Sequence, residues 1–129
     1  MQKAEERKFA GFRDLKVYQL AYNLARNIFQ LTSVFPKEEK YSLTDQIRRS
    51  SRSVAANIAE AFRRRQYPKM FSNKLSEADG EAAETQFWLD FAHDFEYLTQ
   101  EAHNELIDGY EQVGRMLGSM IYNPEKFLP

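Results

Sequence analysis

The stretch that decides the fold is residues 17–35, VYQLAYNLARNIFQLTSVF. Its apolar residues recur at heptad spacing, which places them along one face of an α-helix. This stripe consists of Val17, Ala21, Leu24, Ile28, Leu31 and Phe35. A second set lies beside it and makes the apolar face wider than one helix seam requires: Tyr18, Tyr22, Ala25 and Phe29. Because a proline disfavours helical geometry at the residue before it, Pro36 predicts that this helix ends at Phe35.

Three further segments show the same helical periodicity. The second is expected to begin at Ser42, with its hydroxyl as the cap and Asp45 three residues on. The third opens with Pro68 in its first turn, and the fourth is capped by Thr99 and continues to about Tyr122. No segment has a strand pattern of comparable length. The sequence therefore predicts an all-α fold, an up-down-up-down antiparallel four-helix bundle.

The length of 129 residues fits one domain. The bundle is predicted over residues 12–122, preceded by a charged arm, residues 1–11, that we expect to be flexible, and followed by a C-terminal tail, residues 123–129. The absence of cysteine excludes disulfides, thiolate zinc sites and cysteine nucleophiles. No run of 18 apolar residues and no secretion signal occur, so we expect a soluble cytoplasmic protein with no membrane partner.

The net charge of −1 hides an uneven distribution, because residues 40–65 carry +5 and residues 66–129 carry −8. Five arginines share the face of the second helix opposite its apolar arc: Arg48, Arg49, Arg52, Arg63 and Arg64. The planar guanidinium suits phosphate, so these residues are the candidate nucleic-acid-binding set, as positioning charges rather than base readers. The alternative is a solvated face that pairs with acidic neighbours in this chain or in another subunit, and the residues alone favour it.

A di-iron site of the ferritin type needs two Glu-x-x-His pairs and two more glutamates. Asp90 and His93 have the spacing of one half-site, but Gln100 precedes the other histidine, His103, by three residues. The sequence therefore predicts no metal centre and two isolated surface histidines.

Catalytic motifs are missing as well. The serines at 50, 51 and 53 have no nearby histidine and no glycine elbow, and neither nucleotide-binding glycine motif occurs. Glu60 and Glu84 are expected to accept hydrogen bonds from arginine or from Asn57 rather than to form a catalytic pair. The sequence predicts no active site and no cofactor.

Two features are typical of assembly: the wide apolar face of the first helix, and an aromatic group at the end of the third that comprises Phe87, Trp88, Phe91 and Phe95. The alternative is that inner helices of the bundle bury broad apolar faces. Three glycines lie in the last helix, where each lowers helix stability relative to alanine: Gly109, Gly114 and Gly118. They indicate either a close approach of another helix or a loss of helix stability that is tolerated on the surface.

The ordered pattern FxDLxVYQxA, FPxxExYxLxxQIRR and NIAE, within residues 12–65, resembles the family of 23S ribosomal RNA intervening-sequence proteins. A looser match continues to the end of the chain. Arg48 and Arg49 match the paired arginines of the family, and Asn57 and Glu60 match its Asn-Ile-Ala-Glu motif. Ala61 departs from the glycine usual after that motif, and Glu81 from the serine that often follows the position of Gly80.

The resemblance implies a bacterial, cytoplasmic, non-enzymatic bundle that assembles as a closed ring, typically a homopentamer. Similar proteins serve as accessory factors of retroelement reverse transcriptases, where a strongly basic pentamer is thought to bind nucleic acid and the polymerase. Our prediction is a cyclic homo-oligomer that binds RNA or DNA through its second helix. The alternative is a protein-interaction scaffold or accessory subunit, with a partner such as a reverse transcriptase, whose arginines pair with acidic helices.

Overall fold

The computed structural model describes residues 9–129. This part of the chain contains four α-helices: α1 (Lys16–Thr32), α2 (Leu43–Arg63), α3 (Pro68–Asp94) and α4 (Gln100–Tyr122). Three short 3₁₀ turns accompany them, at Phe12–Asp14, Lys37–Glu39 and Pro124–Lys126. No strand is present in these residues, so the predicted all-α class is confirmed. Over the same range, no helix combines the length and the apolar character needed to cross a membrane.

Each helix packs against the next, and α1 also packs against α4. The helices α2 and α3 are antiparallel, because the start of one lies beside the end of the other. The Thr85 hydroxyl, late in α3, lies 2.9 Å from the hydroxyl of Ser50, early in α2, and Lys74, early in α3, lies 3.0 Å from Glu60, late in α2. The core is built from the apolar stripes predicted for the helices. Its largest fully buried side chains include Ile28, Ile47, Ile58, Phe71, Leu75, Leu89, Leu106, Tyr110 and Leu117.

The prediction that α1 ends at Phe35 is wrong, because α1 ends at Thr32. The side chains of Thr32 and Ser33 donate hydrogen bonds to carbonyls of the last turn, at 2.7 Å to Ile28 and 2.6 Å to Gln30. Such local side-chain bonds favour a turn over continued helix. Phe35 still lies in the core, 8% exposed, because the turn returns it to the apolar side.

The predicted start of α2 at Ser42 is confirmed, because Ser42 is the residue that directly precedes the helix, but the predicted cap by its hydroxyl is wrong. Ser42 precedes the helix, but its hydroxyl donates to Glu39 Oε1 at 2.7 Å. The same Glu39 oxygen accepts from the backbone N–H of Leu43 at 3.4 Å, and the other accepts from the hydroxyl of Tyr97 at 3.0 Å. The hydrogen bonds from Ser42 and then from Tyr97 lower the pKa of Glu39. Glu39 thus joins the α1–α2 connection to the α3–α4 connection.

The other two predicted helix starts are confirmed. Pro68 is the first residue of α3, and Thr99 Oγ1 accepts a hydrogen bond from the N–H of Ala102 at 3.1 Å. A Cβ added to Gly109 would lie 2.5 Å from Leu24, so this glycine permits the close approach of α4 to α1. A Cβ added to Gly118 would meet no other atom of the described chain within 4 Å, which agrees with the alternative that this glycine is tolerated on the surface rather than required for helix packing.

Residues 1–8 of the predicted N-terminal arm lie outside the described residues. The Phe9 ring stacks on Phe127 of the tail at 5.4 Å and meets Phe62 edge-on at 6.2 Å. The described ends of the chain therefore meet each other at the end of α2.

Candidate interaction surfaces

Arg48 is held by the C-terminal end of α1. Its Nε donates to Thr32 Oγ1 at 2.8 Å and one Nη donates to the carbonyl of Phe29 at 3.2 Å, while its guanidinium lies 4.4 Å above the Phe29 ring. The last carbonyls of a helix have no partners within the helix and carry partial negative charge. Arg48 therefore stabilises the end of α1, and only part of its side chain remains available to a ligand.

Arg49 is paired with α3. It forms an ion pair and a hydrogen bond with Glu84 and lies 3.6 Å from Glu81. Glu84 also accepts from the Trp88 indole N–H at 3.0 Å. This arrangement matches the alternative in which arginines of α2 pair with the acidic second half of the chain.

The prediction for Glu60 was wrong and that for Glu84 is confirmed, since Glu84 accepts from Arg49. Glu60 pairs with Lys74 at 3.0 Å instead of with arginine or Asn57. The Asn57 amide donates to the carbonyl of Ser53 in its own helix, at 2.9 Å. The two carboxylates thus serve contacts between α2 and α3.

Arg48, Arg49 and Arg52 line one open groove of about 590 Å³ together with Lys40 and Tyr41. We call this the cationic groove. Asp45 is the one carboxylate residue in its lining, and the Tyr41 ring is 84% exposed at its edge.

The two remaining predicted arginines, Arg63 and Arg64, are exposed at the far end of α2 and do not line the cationic groove. At 1.5 Å per residue, they lie about 20 Å along the helix from Arg49. The structure therefore brings together three of the five candidate residues.

A second groove, which we call the α1–α2 groove, has a volume of about 740 Å³. Its small side chains are Ala25, Ala55, Ala56 and Ala59, and its aromatic ones are Phe12, Tyr18, Tyr22 and Phe29. Arg26 and Arg52 complete the lining with Gln30. Tyr22 and Phe29 are each 49% exposed, so this part of the wide apolar face of α1 is not buried in the bundle.

Phe87, Phe91 and Phe95 form a row at the end of α3, which we call the α3 ridge. Consecutive rings lie 5.2 and 5.6 Å apart, and all three side chains are exposed. Trp88 packs beside the row and is half-buried. The aromatic group singled out in the sequence is therefore a surface feature, while Leu89 and Ala92 of the same segment face the core.

The two histidines contact each other, contrary to the prediction of isolated surface side chains. The rings of His93 and His103 stack at 4.5 Å, and His103 Nε2 lies 2.9 Å from Asp90. His93 lies on α3 and His103 lies on α4. Their contact therefore depends on how the two helices pack, and residue spacing along one helix does not reveal it. Within residues 9–129, no group of three or more potential ligands among His, Cys, Asp and Glu is placed to hold a metal ion.

A family model described as 23S rRNA-intervening sequence protein matches residues 13–119. The chain is also similar to a solved structure of a protein of unknown function from the S23 ribosomal protein family of Bacteroides thetaiotaomicron. The two chains are 32% identical with a TM-score of 0.75, over 83% of this chain and 96% of the other. No curated protein matches this chain.

Proposed function

Since the chain belongs to the family of 23S rRNA-intervening sequence proteins, we propose that it is a non-enzymatic binding protein that works as a homo-oligomer. The observation that carries this proposal is the presence of two separate exposed aromatic surfaces, the α1–α2 groove and the α3 ridge. A closed ring of five copies and a bacterial cytoplasmic location come from the family resemblance and stay predictions.

Exposed aromatic rings are costly to leave in water, and the largest exposed apolar patch of a typical monomer, about 300–600 Å², is often a binding site. The three ridge phenylalanines are 51%, 39% and 51% exposed. With a full aromatic side chain at about 200 Å², they expose roughly 300 Å² together. That is a substantial part of the roughly 800 Å² that each partner contributes to a stable interface.

The mass of the protein in solution tests the proposal. Light scattering after size exclusion, at micromolar concentration, should give a multiple of the subunit mass of 15.2 kDa, and five times that value if the ring is pentameric. A mass of one subunit under these conditions would overturn the proposal.

Nucleic-acid binding in the cationic groove is a second candidate function. It is supported by the convergence of Lys40, Arg48, Arg49 and Arg52 with one carboxylate residue, Asp45. Each phosphate neutralised by such a group releases counterions, so binding of this kind weakens steeply with salt. Repetition of the groove around an oligomer would multiply the charge that faces one nucleic acid.

Fluorescence anisotropy with short RNA and DNA, at low and physiological salt, tests this candidate. Arg52→Ala is the informative variant, because Arg52 has no carboxylate partner among its described contacts and lies 5.8 Å from the Phe29 ring. It should weaken binding, and it should make the slope of log K against log salt shallower by about the contribution of one phosphate contact. Arg63→Ala is the matched control outside the groove.

If no nucleic acid binds at low salt, this second function is excluded. The arginines then belong to contacts with protein, and a partner such as a reverse transcriptase becomes the next candidate. Equal losses for Arg52→Ala and Arg63→Ala would place binding along the whole of α2 rather than in the cationic groove.

A further inference from the structure

We infer that the α3 ridge of one copy docks into the α1–α2 groove of the next copy. This inference rests on the proposed self-association and names the two surfaces that meet. The occupant is a second copy of this chain because the same molecule carries an exposed aromatic row flanked by carboxylates and an open groove lined by alanines, aromatic rings and two arginines.

The side chains of the two surfaces are complementary in size. The ridge residues are spaced four apart, so the row extends about 12 Å along α3 and its extension. Its three phenylalanine rings are large and exposed. The α1–α2 groove offers alanines at 25, 55, 56 and 59, whose small side chains let another helix approach closely. Aromatic rings on both sides can then meet edge-to-face, which adds to the burial of area.

The charges of the two surfaces also match. Arg26 and Arg52 lie in the lining of the groove, and Arg48 stacks on Phe29 beside it. Within the sequence of the ridge and directly after it are three exposed carboxylates: Asp90, Asp94 and Glu96. Asp90 also lies 2.9 Å from His103 and Asp94 lies 3.9 Å from His93, so the Glu96 carboxylate has the fewest such contacts within the described part of the chain. Opposite charges at the edge of an apolar contact select the partner and its orientation. A like-for-like contact of two ridges would instead bring these carboxylates together.

The ridge and the groove are different surfaces, so their contact is head-to-tail. Such a contact leaves one free ridge and one free groove at the ends of any open chain of copies. It closes into a ring if the rotation between neighbours permits. Arg52 and Ala56 line both the α1–α2 groove and the cationic groove, so the docked ridge would lie next to the cationic groove.

Disulfide trapping tests the pairing, because the chain has no cysteine of its own. Phe91→Cys mixed with Ala56→Cys under mild oxidation should give a covalent dimer of the two variants. Neither variant alone should form its own covalent dimer, because position 91 would face position 56 and not itself. Val34→Cys mixed with Ala56→Cys is the control, since Val34 is 83% exposed and belongs to neither surface.

A second pair of variants tests the pairing without oxidation. Phe91→Asp removes the ridge but keeps the groove, and Ala56→Glu blocks the groove but keeps the ridge. Each should be monomeric alone, and the mixture should form a one-to-one dimer through the intact pair of surfaces. Both positions are exposed, so the fold should survive, which circular dichroism verifies.

The outcomes separate the inference from the proposed function. A monomeric wild-type protein would overturn both. If the wild type is oligomeric while Phe91→Asp and Ala56→Glu remain equally oligomeric, self-association stands and the ridge–groove pairing is wrong. Variants that are monomeric alone and do not combine, or a covalent dimer formed as readily by Phe91→Cys alone, would also overturn the pairing.

Discussion

The two ends of α3 carry the same residue type in opposite environments. Near its start, Phe71 is 1% exposed and packs near the ring of Phe127. Toward its end, Phe87 and Phe91 are 51% and 39% exposed. Phe71 lies on the stripe with Leu75 that faces the core, whereas the ridge phenylalanines lie on another face of the helix. Phenylalanine at the start of α3 therefore stabilises the monomer, and at its end it is available to a second molecule.

The largest expected effect is at the buried end. Phe71→Ala should lower the free energy of unfolding by about 3–5 kcal/mol, because it removes a buried ring and leaves a cavity that the helices fill only in part. Urea denaturation followed by circular dichroism measures this loss. A loss below about 1 kcal/mol would mean that Phe71 is not part of a close-packed core.

A smaller effect is expected where α4 approaches α1. Gly109→Ala should destabilise the protein by about 1–3 kcal/mol despite the better helix propensity of alanine, because its Cβ meets Leu24. Gly118→Ala is the matched control and should be stabilising by up to about 1 kcal/mol, since nothing lies near its added Cβ. Thermal unfolding of the two variants should therefore shift in opposite directions.

At the exposed end of α3, Phe91→Ala should lower the unfolding free energy of the monomer by only about 1 kcal/mol, because its ring is partly exposed and contacts mainly the neighbouring aromatic rings. Its main effect should appear in the mass of the oligomer, measured by light scattering over a dilution series. A loss of stability similar to that of Phe71→Ala would remove the contrast between the two ends of the helix.

The smallest effect concerns the connection that follows the ridge, where Tyr97 donates to Glu39. The pKa of Glu39 is lowered in the folded protein, so its stabilising contribution is present above the ordinary value of 4.5 and is lost as the pH falls through the folded-state value. Glu39→Gln should therefore flatten the acid side of the stability profile, measured by urea denaturation between pH 3 and pH 7.

The hydrogen bond with Glu39 and burial raise the pKa of Tyr97. Tyr97 is therefore expected to make the stability of the protein depend on pH in the alkaline range, with stability lost as the pH rises. The contribution of Tyr97 is present below its ordinary value of 10.0 and is lost as the pH rises through the folded-state value. Tyr97→Phe should weaken both pH dependences, because it removes the donor that the two residues share.

Much of the fold could be predicted from local pattern. The buried stripe from Val17 to Ile28, the Pro68 start and the Thr99 cap each depend on residues within a few positions of one another. The predictions that failed have both local and distant causes: bonds within its own last turn end α1 early, whereas Glu39, at the start of α2, is also held by a residue far away in the chain. Glu39 replaced Ser42 as the acceptor at the start of α2, and its second partner, Tyr97, lies 58 residues away.

The candidate site was predicted in composition but not in arrangement. A helical wheel placed five arginines on one face, and the structure places Arg48, Arg49 and Arg52 in one groove but Arg63 and Arg64 elsewhere. The angular position of a residue around its helix does not reveal which neighbouring helix or connection its side chain meets. The end of α1 engages Arg48, and carboxylates of α3 engage Arg49.

The four helices, their buried faces and the family could be predicted without coordinates, because helical periodicity and short motifs are local properties of the chain. The tertiary structure alone decided which surplus apolar residues remain outside. Tyr22, Phe29 and the α3 ridge lie beside the buried stripes but remain exposed, because a four-helix core has room for only one stripe from each helix. The surfaces available for binding are those that the packing of the bundle leaves uncovered.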